Sequence, residues 1–439
     1  MSTRVAADVL VHGVGKLYTL EEKGLPAGPR RRGDLGRVGL VEGGAIAGYQ
    51  GEIVAAGPEE EVRAAIRLLP GAATFDAEGA AVVPGFVDPH THAVFDEPRS
   101  WEFGRRLVGE SYASIAADGG GIRASVRGFR AVDEDELVRR TRRRLRAALA
   151  YGSTTVEVKS GYGLELESEL RALRVIQRLA GDPELPELVA TCLAAHEFPD
   201  EWRDDRDGYV RLVCEEIFPA VEAEGLAERA DVFCEPGVYT VEQSRRVLEA
   251  AAAHGMRATI HADELEGSGG AELAAELGAD SADHLGRISD AGIEALAGSD
   301  TVGVLLPGTI FALGLDQQAP ARRMIDAGVA VAMATDFNPG SNWCESVPLT
   351  LAIGCTRLHV HPHEALAMCT INAAHALRRG DRVGSLAPGK SFDCNVLRTD
   401  SIDGLAHHLG LDPIRCVFRH GRRVVDHRAP LGVSGPDRG

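Results

Sequence analysis

Between residue 81 and about residue 334 the chain repeats one alternation, and this constrains its fold more than any other feature of the sequence. Short apolar runs rich in β-formers lie at 81–87, 154–158, 188–194, 231–234, 257–260, 281–282 with its flanks, 301–306 and 329–334. Between them lie stretches rich in Ala, Leu, Glu and Arg. Residues 134–150 set Leu137, Leu145 and Leu149 on one side of a helix amid a dense arginine face. Thr240 and Gln243 have capping-box spacing, and Ser289 and Pro320 open two more helical segments. Strands joined through helices make a parallel sheet. Eight such units over about 250 to 300 residues are the arithmetic of a closed (β/α)8 barrel, the TIM-like α/β fold. An open doubly wound sheet is the alternative, and the lack of a GxGxxG after any strand argues against it.

Outside this region the texture changes. Residues 7–12, 44–48 and 51–56 are brief apolar or alternating runs bounded by Gly and Pro. After a last helical region at 363–377, residues 384–390 are turn-rich, and 393–397 and 417–425 again read as short strands. The expected organisation is 1–80 and 384–439 as two parts of one small β domain, flanking a barrel over 81–383. Residues 21–37, with Gly24, Pro26, Gly28 and Pro29, read as an exposed loop whose Arg30, Arg31 and Arg32 are solvated. The arginine-rich stretch 139–146 reads as barrel exterior or subunit contact.

Charge and cysteine usage exclude some functions. Lys and Arg number 47 against 65 Asp and Glu, a net charge of −18, which disfavours nucleic acid and anionic membranes as partners. An anionic substrate then needs a local cation. Eight scattered cysteines without a CxxC pair suit free thiols in a reducing cytoplasm. The first residues lack the cationic flank and apolar core of a signal peptide, and no run of about 18 apolar residues exists to span a membrane.

The chemistry-bearing residues gather at strand ends, where barrel enzymes place their sites. Val83-Pro-Gly-Phe-Val-Asp-Pro-His-Thr-His92 is an apolar strand running into two histidines, and residues i and i+2 of an extended chain point to the same side. The third run ends in His196, the fifth in His261-Ala-Asp-Glu264, the sixth in Asp283-His284 and the eighth in Ala334-Thr-Asp336-Phe-Asn338. Any one of these alone reads as a helix cap or loop support. Five histidines and an aspartate at strand ends together read as a metal site. Three imidazoles and one carboxylate suit Zn2+ or Fe2+ with a position left for water, whose pKa such an ion lowers. His361-Pro-His363 precedes a helix start and reads as a cap, and His407-His408 as surface.

This pattern, HxH on the first strand, His on the fifth and sixth and Asp on the eighth, resembles the amidohydrolase superfamily. The resemblance implies a metal at the mouth of a (β/α)8 barrel and a small β-sandwich built from both chain ends. It implies His90, His92, His261 and Asp336 as metal ligands, with His284 close by to orient or polarise the water. Two-metal relatives use a modified lysine after the fourth strand. Here Glu235 stands in Phe233-Cys-Glu-Pro and the comparable Lys159 follows the second strand, which implies one divalent ion per subunit, zinc or iron (Fe2+/Fe3+).

Further stretches resemble one branch of that superfamily, the enzymes that open an imidazolone ring in histidine degradation. These are Pro84 to His92 with Arg99, Gly119-Gly-Gly-Ile122, Glu157-Val-Lys-Ser-Gly-Tyr-Gly163, His261-Ala-Asp-Glu264, Leu305-Leu-Pro-Gly-Thr309 and Thr335-Asp-Phe-Asn-Pro-Gly-Ser341. The implied reaction is hydrolysis of 4-imidazolone-5-propanoate to N-formimidoyl-L-glutamate by attack of the activated water on the ring carbonyl. Arg99 would bind the propanoate, Tyr162 the carboxylate or ring edge, and His196 would face the ring. Glu264 would carry the proton from water to the leaving nitrogen, with His284 assisting. Asn338, Gly340 and Ser341 would contact the polar end of the substrate or product. Tyr162 as a buried core aromatic, and Glu264 as a helix-start glutamate, are the alternative readings of those two residues. A heterocycle aminohydrolase would share the metal set, but a neutral ring would not need Arg99. A barrel holding metal without catalysis is the remaining alternative. A homodimer in the cytoplasm is expected.

Overall fold

The computed structural model describes residues 4–110, 114–115, 118–410 and 412–427. Five strands open the chain: β1 (Val5–Tyr18), β2 (Leu40–Tyr49), β3 (Glu52–Pro58), β4 (Ile66–Asp76) and β5 (Ala81–Pro84). The long β1 organises them, pairing antiparallel with β2 and parallel with β4 and β5. β4 and the preceding helix, Glu59–Ala65, carry weak signals in sequence, because β4 is mostly exposed and contains Pro70 and Gly71.

The barrel follows, as β6 (Phe86–Asp88), β7 (Ser153–Lys159), β8 (Glu187–Ala195), β9 (Arg229–Cys234), β10 (Arg257–Ala262), β11 (Ser281–His284), β12 (Val302–Leu305) and β13 (Ala330–Met333). Consecutive strands pair in parallel from β6 round to β13. Helices cover the outside and side chains such as Val87, Val189, Val304 and Ala332 fill the inside, which is why these strands read as continuous apolar runs. The seam between β13 and β6 closes just beyond the strands. His92 N donates to Phe337 O (2.8 Å) and Asp336 N to His90 O (3.1 Å). The HxH and Asp336 segments therefore form the seam themselves.

After the barrel, β14 (Cys394–Leu397), β15 (Ile414–Arg419) and β16 (Arg422–Asp426) return to the first sheet, β14 pairing with β5. Both chain ends thus build one sheet domain, with a core that includes Val9, Ile46, Phe392, Val396 and Phe418.

The apolar run 81–87, expected as one strand, is two. Residues Ala81–Pro84 belong to the end-built sheet and Phe86–Asp88 opens the barrel. Gly85 is the joint. A Cβ there would lie 2.2 Å from Thr154 Oγ1, so only glycine lets the chain pass this close to β7. The helix expectations hold: Leu137, Leu145 and Leu149 are buried in Glu134–Ala150, the Thr240 capping box forms, Ser289 caps Asp290–Ala297, and His361 caps Pro362–Met368.

The arginines of the 21–37 loop are not solvated as a group. Arg30 is buried, donates its backbone N–H to Asn372 Oδ1 (2.6 Å) and its guanidinium to Leu20 O (3.1 Å). Arg31 donates to Gly328 O and Ser299 O (both 2.8 Å), and Arg32 to Ala327 O (3.0 Å). Guanidinium groups here satisfy carbonyls left open at the ends of helices Asp290–Ala297 and Ala321–Ala327, pinning the loop to the barrel. Arg144 likewise turns inward from the arginine-rich helix, covering the Phe95 ring at 3.4 Å and donating to Ala93 O, Phe95 O and Asp96 O behind the HxH. All eight cysteines are free. No described helix is long and apolar enough to cross a membrane.

Candidate active site

The site begins with Asp88, the last residue of β6. Its carboxylate accepts from Thr335 N (3.0 Å) and Thr335 Oγ1 (2.6 Å), fixing the HxH segment against the segment that carries Asp336. Burial raises Asp88 to about 7, with the Thr335 bonds opposing. The following residues then turn His90 and His92 into the barrel mouth, where both are buried.

Side-chain donors from three strand ends converge there. His90 Nε2 and His92 Nε2 are 3.3 Å apart, and His92 Nε2 and His261 Nε2 are 3.4 Å apart. Asp336 Oδ1 lies 3.5 Å from His92 Nε2 and 3.7 Å from His90 Nε2. Burial holds His90 and His92 well below their ordinary range, hence neutral, with lone pairs to give. At His261 burial is outweighed by the charge and hydrogen bond of Asp231, which raise it. Neutral imidazole nitrogens this close repel unless a cation lies between them. A tetrahedral ion bound at about 2.0–2.1 Å spaces its ligands about 3.3–3.4 Å apart, which is the spacing found here. His90, His92 and His261 form a group whose donors fit a divalent metal ion, and the Asp336 carboxylate lies beside it. Thr309 Oγ1 donates to the other Asp336 oxygen (2.5 Å), and burial raises that carboxyl to about 6.

A buried charge network below these donors was not found from sequence. Asp283 Oδ2 accepts from His90 Nδ1 (2.6 Å), and Asp231 Oδ2 lies 2.9 Å from His261 Nδ1. With Nδ1 facing a carboxylate, each ring turns its Nε2 lone pair inward. Lys159, also buried, sits 2.8 Å from Asp231, 2.9 Å from Glu157 and 4.0 Å from Asp283. It compensates the acids that orient the ligands. Charged residues inside apolar strands, as in Val156-Glu-Val-Lys159 and Ala230-Asp-Val232, were the available signal.

Glu264 and His284 line a small pocket beside the cluster, the His284 ring 5.2 Å from that of His261 and Glu264 Oε1 3.6 Å from His284 Nδ1. Burial raises the Glu264 carboxyl to about 8, the Asp336 charge adding to it. His284 is held well below its ordinary range by burial, and its Nε2 is buried without a hydrogen-bond partner. Glu235 reaches the site only indirectly. Its carboxylate accepts from the backbone N–H of Glu264, Leu265 and Glu266 (3.1, 3.0 and 2.6 Å) and so holds the loop on which Glu264 stands. Asp263, His284, Leu285 and Asp336 all have φ between +52° and +77°, a strain found where side chains are forced toward a functional centre.

The expected substrate-binding residues lie around this cluster. The His196 ring stacks on His92 (centroids 5.1 Å, 21°), with Nδ1 donating to Gly161 O (2.9 Å), and burial takes it down to about 3. Tyr162 is buried edge-on to His196, with centroids 5.4 Å apart, and burial raises its phenol while Arg99 opposes. Arg99 lies against Gly340 so closely that a Cβ on Gly340 would come within 1.7 Å of Nη2. Asn338 is occupied within its own loop. Its oxygen accepts from Gly340 N and Ser341 N (both 2.8 Å), and its nitrogen donates to Asp336 O (2.7 Å) and Ser341 Oγ (2.8 Å). Asn342 donates to Thr335 O (2.6 Å) and anchors the end of the same loop.

A metal-binding cluster at the mouth of such a barrel defines a class of hydrolases, and sequence comparison agrees. The profile of the amidohydrolase family matches residues 81–424, and the chain belongs to that family. Within it, the chain is 46% identical over 419 residues to the imidazolonepropionase of Geobacillus kaustophilus (strain HTA426), covering 95% of this chain and 98% of that protein. It is 47% identical over 420 residues to the imidazolonepropionase of Symbiobacterium thermophilum, covering 95% and 97%. The fold matches a solved adenosine deaminase from Xanthomonas campestris with bound zinc, with a TM-score of 0.71 at 18% identity, covering 98% of this chain and 96% of that one.

Proposed function

We propose that this chain hydrolyses 4-imidazolone-5-propanoate to N-formimidoyl-L-glutamate in histidine degradation, as the name shared by its curated relatives suggests. The observation that carries the reading is the placement of one arginine, Arg99, beside Tyr162 and Gly340 at the mouth of a buried histidine cluster. That arrangement suits a small heterocycle with a carboxylate arm.

His90, His92, His261 and Asp336 would hold a single divalent ion, zinc or iron. Such an ion supplies Lewis acidity and makes water available as hydroxide near neutral pH. The chain's own residues do the rest. Arg99 anchors the propanoate through parallel N–H donors. Tyr162 closes over the substrate, and His196, its Nδ1 already committed to Gly161, offers Nε2 to the ring. Glu264, in a dry pocket, takes the proton of the attacking water and delivers it to the ring nitrogen as the C–N bond breaks. His284, neutral, hydrogen-bonds the oxygen that gains charge. Gly340 and Ser341 line the polar end of the site. The eight free cysteines support a cytoplasmic setting, and a homodimer is the assembly we propose, to be checked by sedimentation.

The test is loss of imidazolone absorbance with purified, metal-loaded protein, beside an Arg99→Met variant. Turnover by the parent, with KM raised about 10- to 100-fold in the variant, is expected. Equal KM values would remove Arg99 from the carboxylate site.

A further inference from the structure

Arg99 does not hold itself in place. It precedes the helix Ser100–Leu107, which turns charge inward. Glu102 is buried and Arg106 mostly so, while Trp101, Phe103 and Leu107 face solvent. Glu102 Oε1 lies 3.0 Å from Arg99 Nε, in a charge contact whose N–H is not aimed for a hydrogen bond. The same oxygen accepts from Gly121 N (2.8 Å), at the start of helix Ile122–Ala131, and Ser125 of that helix accepts from Arg99 Nη1. The other oxygen, Oε2, lies 3.5 Å from Arg106 Nη1, and Arg106 Nη2 donates to Gly340 O (3.1 Å). Arg99 N donates to Pro339 O (2.7 Å), and its guanidinium rests on Gly340.

These contacts close a ring: Arg99 to Glu102, Glu102 to Arg106, Arg106 to Gly340, and Gly340 back to Arg99. We propose that Glu102 and Arg106 are positioning residues that aim the Arg99 guanidinium at the substrate's carboxylate and so set selectivity for an anionic arm. The inference rests on the reading of Arg99 above and extends it to two residues that touch no substrate. Two cations share one buried carboxylate, which leaves a net positive charge for an incoming anion in a protein of net charge −18. Five N–H groups belong to Arg99. With Nε facing Glu102 and one Nη1 hydrogen on Ser125, the remaining donors have no hydrogen-bond partner among the described residues and can meet a carboxylate. Without Glu102 the side chain has no charge partner to prevent its swinging, and without Arg106 neither Glu102 nor the Gly340 carbonyl keeps its place.

The experiment compares 4-imidazolone-5-propanoate with its propanamide, whose arm is neutral, as substrates of the metal-loaded parent, Glu102→Gln and Arg106→Lys. Glu102→Gln keeps shape and the bond to Gly121 N, so it isolates the charge, and Arg106→Lys keeps charge but cannot bridge two acceptors. Metal content and thermal unfolding midpoint confirm that each variant is folded. We expect KM for the propanoate to rise about 10-fold or more with a smaller change in kcat, so that the propanoate-to-propanamide ratio of kcat/KM shrinks by a similar factor. A folded variant in which both substrates fall in parallel, or neither falls, overturns the proposal. A parent that shows no preference for the propanoate overturns the Arg99 reading itself, which separates the two failures.

Discussion

Replacing Asp231 by Asn tests whether the buried network orients the metal ligands. In the parent, Asp231 Oδ1 accepts from Val232 N (2.7 Å) and His261 N (3.2 Å), while Oδ2 faces His261 Nδ1 at 2.9 Å and Lys159 Nζ at 2.8 Å. All four partners are donors. An amide therefore fits in neither orientation, because its NH2 meets either two backbone N–H groups or the imidazole and the ammonium. Loss of such an outer partner typically weakens metal affinity about 10- to 100-fold, or about 1.4–2.8 kcal/mol. Lys159 also loses one of its two close carboxylates. Breaking a buried pair costs about 3–5 kcal/mol, so the metal-free protein should lose stability by a comparable amount. Zinc affinity by chelator competition and urea unfolding of the metal-free protein read the two effects separately. An affinity within twofold of the parent, together with an unchanged unfolding midpoint, would refute the orienting role.

Three further outcomes are expected. Glu264→Gln should lower kcat about 100- to 10,000-fold with metal content unchanged, since it removes the proton carrier and leaves the ligands intact; metal loss would show a ligand role instead. Gly85→Ala should cost about 1–3 kcal/mol in urea unfolding, because its Cβ would meet Thr154 Oγ1 at 2.2 Å, and a neutral change would contradict the joint described here. Burial takes His375 down to about 4 against an ordinary 6.5, so the unfolded chain binds a proton that the folded one refuses. Stability should then fall as pH drops from 6.5 toward 4, by about 3 kcal/mol at most and about 1–2 after screening at its open edge. His375→Leu should flatten that slope, and an unchanged slope would clear His375 of the effect.

Much of the barrel could be read from sequence, because a parallel strand buried on both faces is largely apolar and because the donors stand where such strands end. That is how His90, His92, His261 and Asp336 could be expected in one place, and the structure does bring them together. The residues that make the cluster work were harder to see. Lys159, Asp231 and Asp283 lie within or at the end of strands, where a single charge says nothing about its partner across the barrel. Arg31 and Arg32 look like surface because a run of arginines usually is, and only the tertiary fold offers them helix-end carbonyls. The split at Gly85 was hidden for the opposite reason: both sides of it are apolar, so the change of sheet leaves no mark. Asn338 sits two residues from Asp336, yet its amide is spent on its own loop, a distinction that only hydrogen-bond partners reveal.

The central claim is that this cluster opens a ring by adding water, and the identity of the product tests it most directly. Metal-loaded protein incubated with 4-imidazolone-5-propanoate should give a product heavier by one water, with no ammonia released, and chelation should stop its formation until metal is restored. An unchanged substrate mass with the metal site filled, or release of ammonia in place of ring opening, would contradict the account.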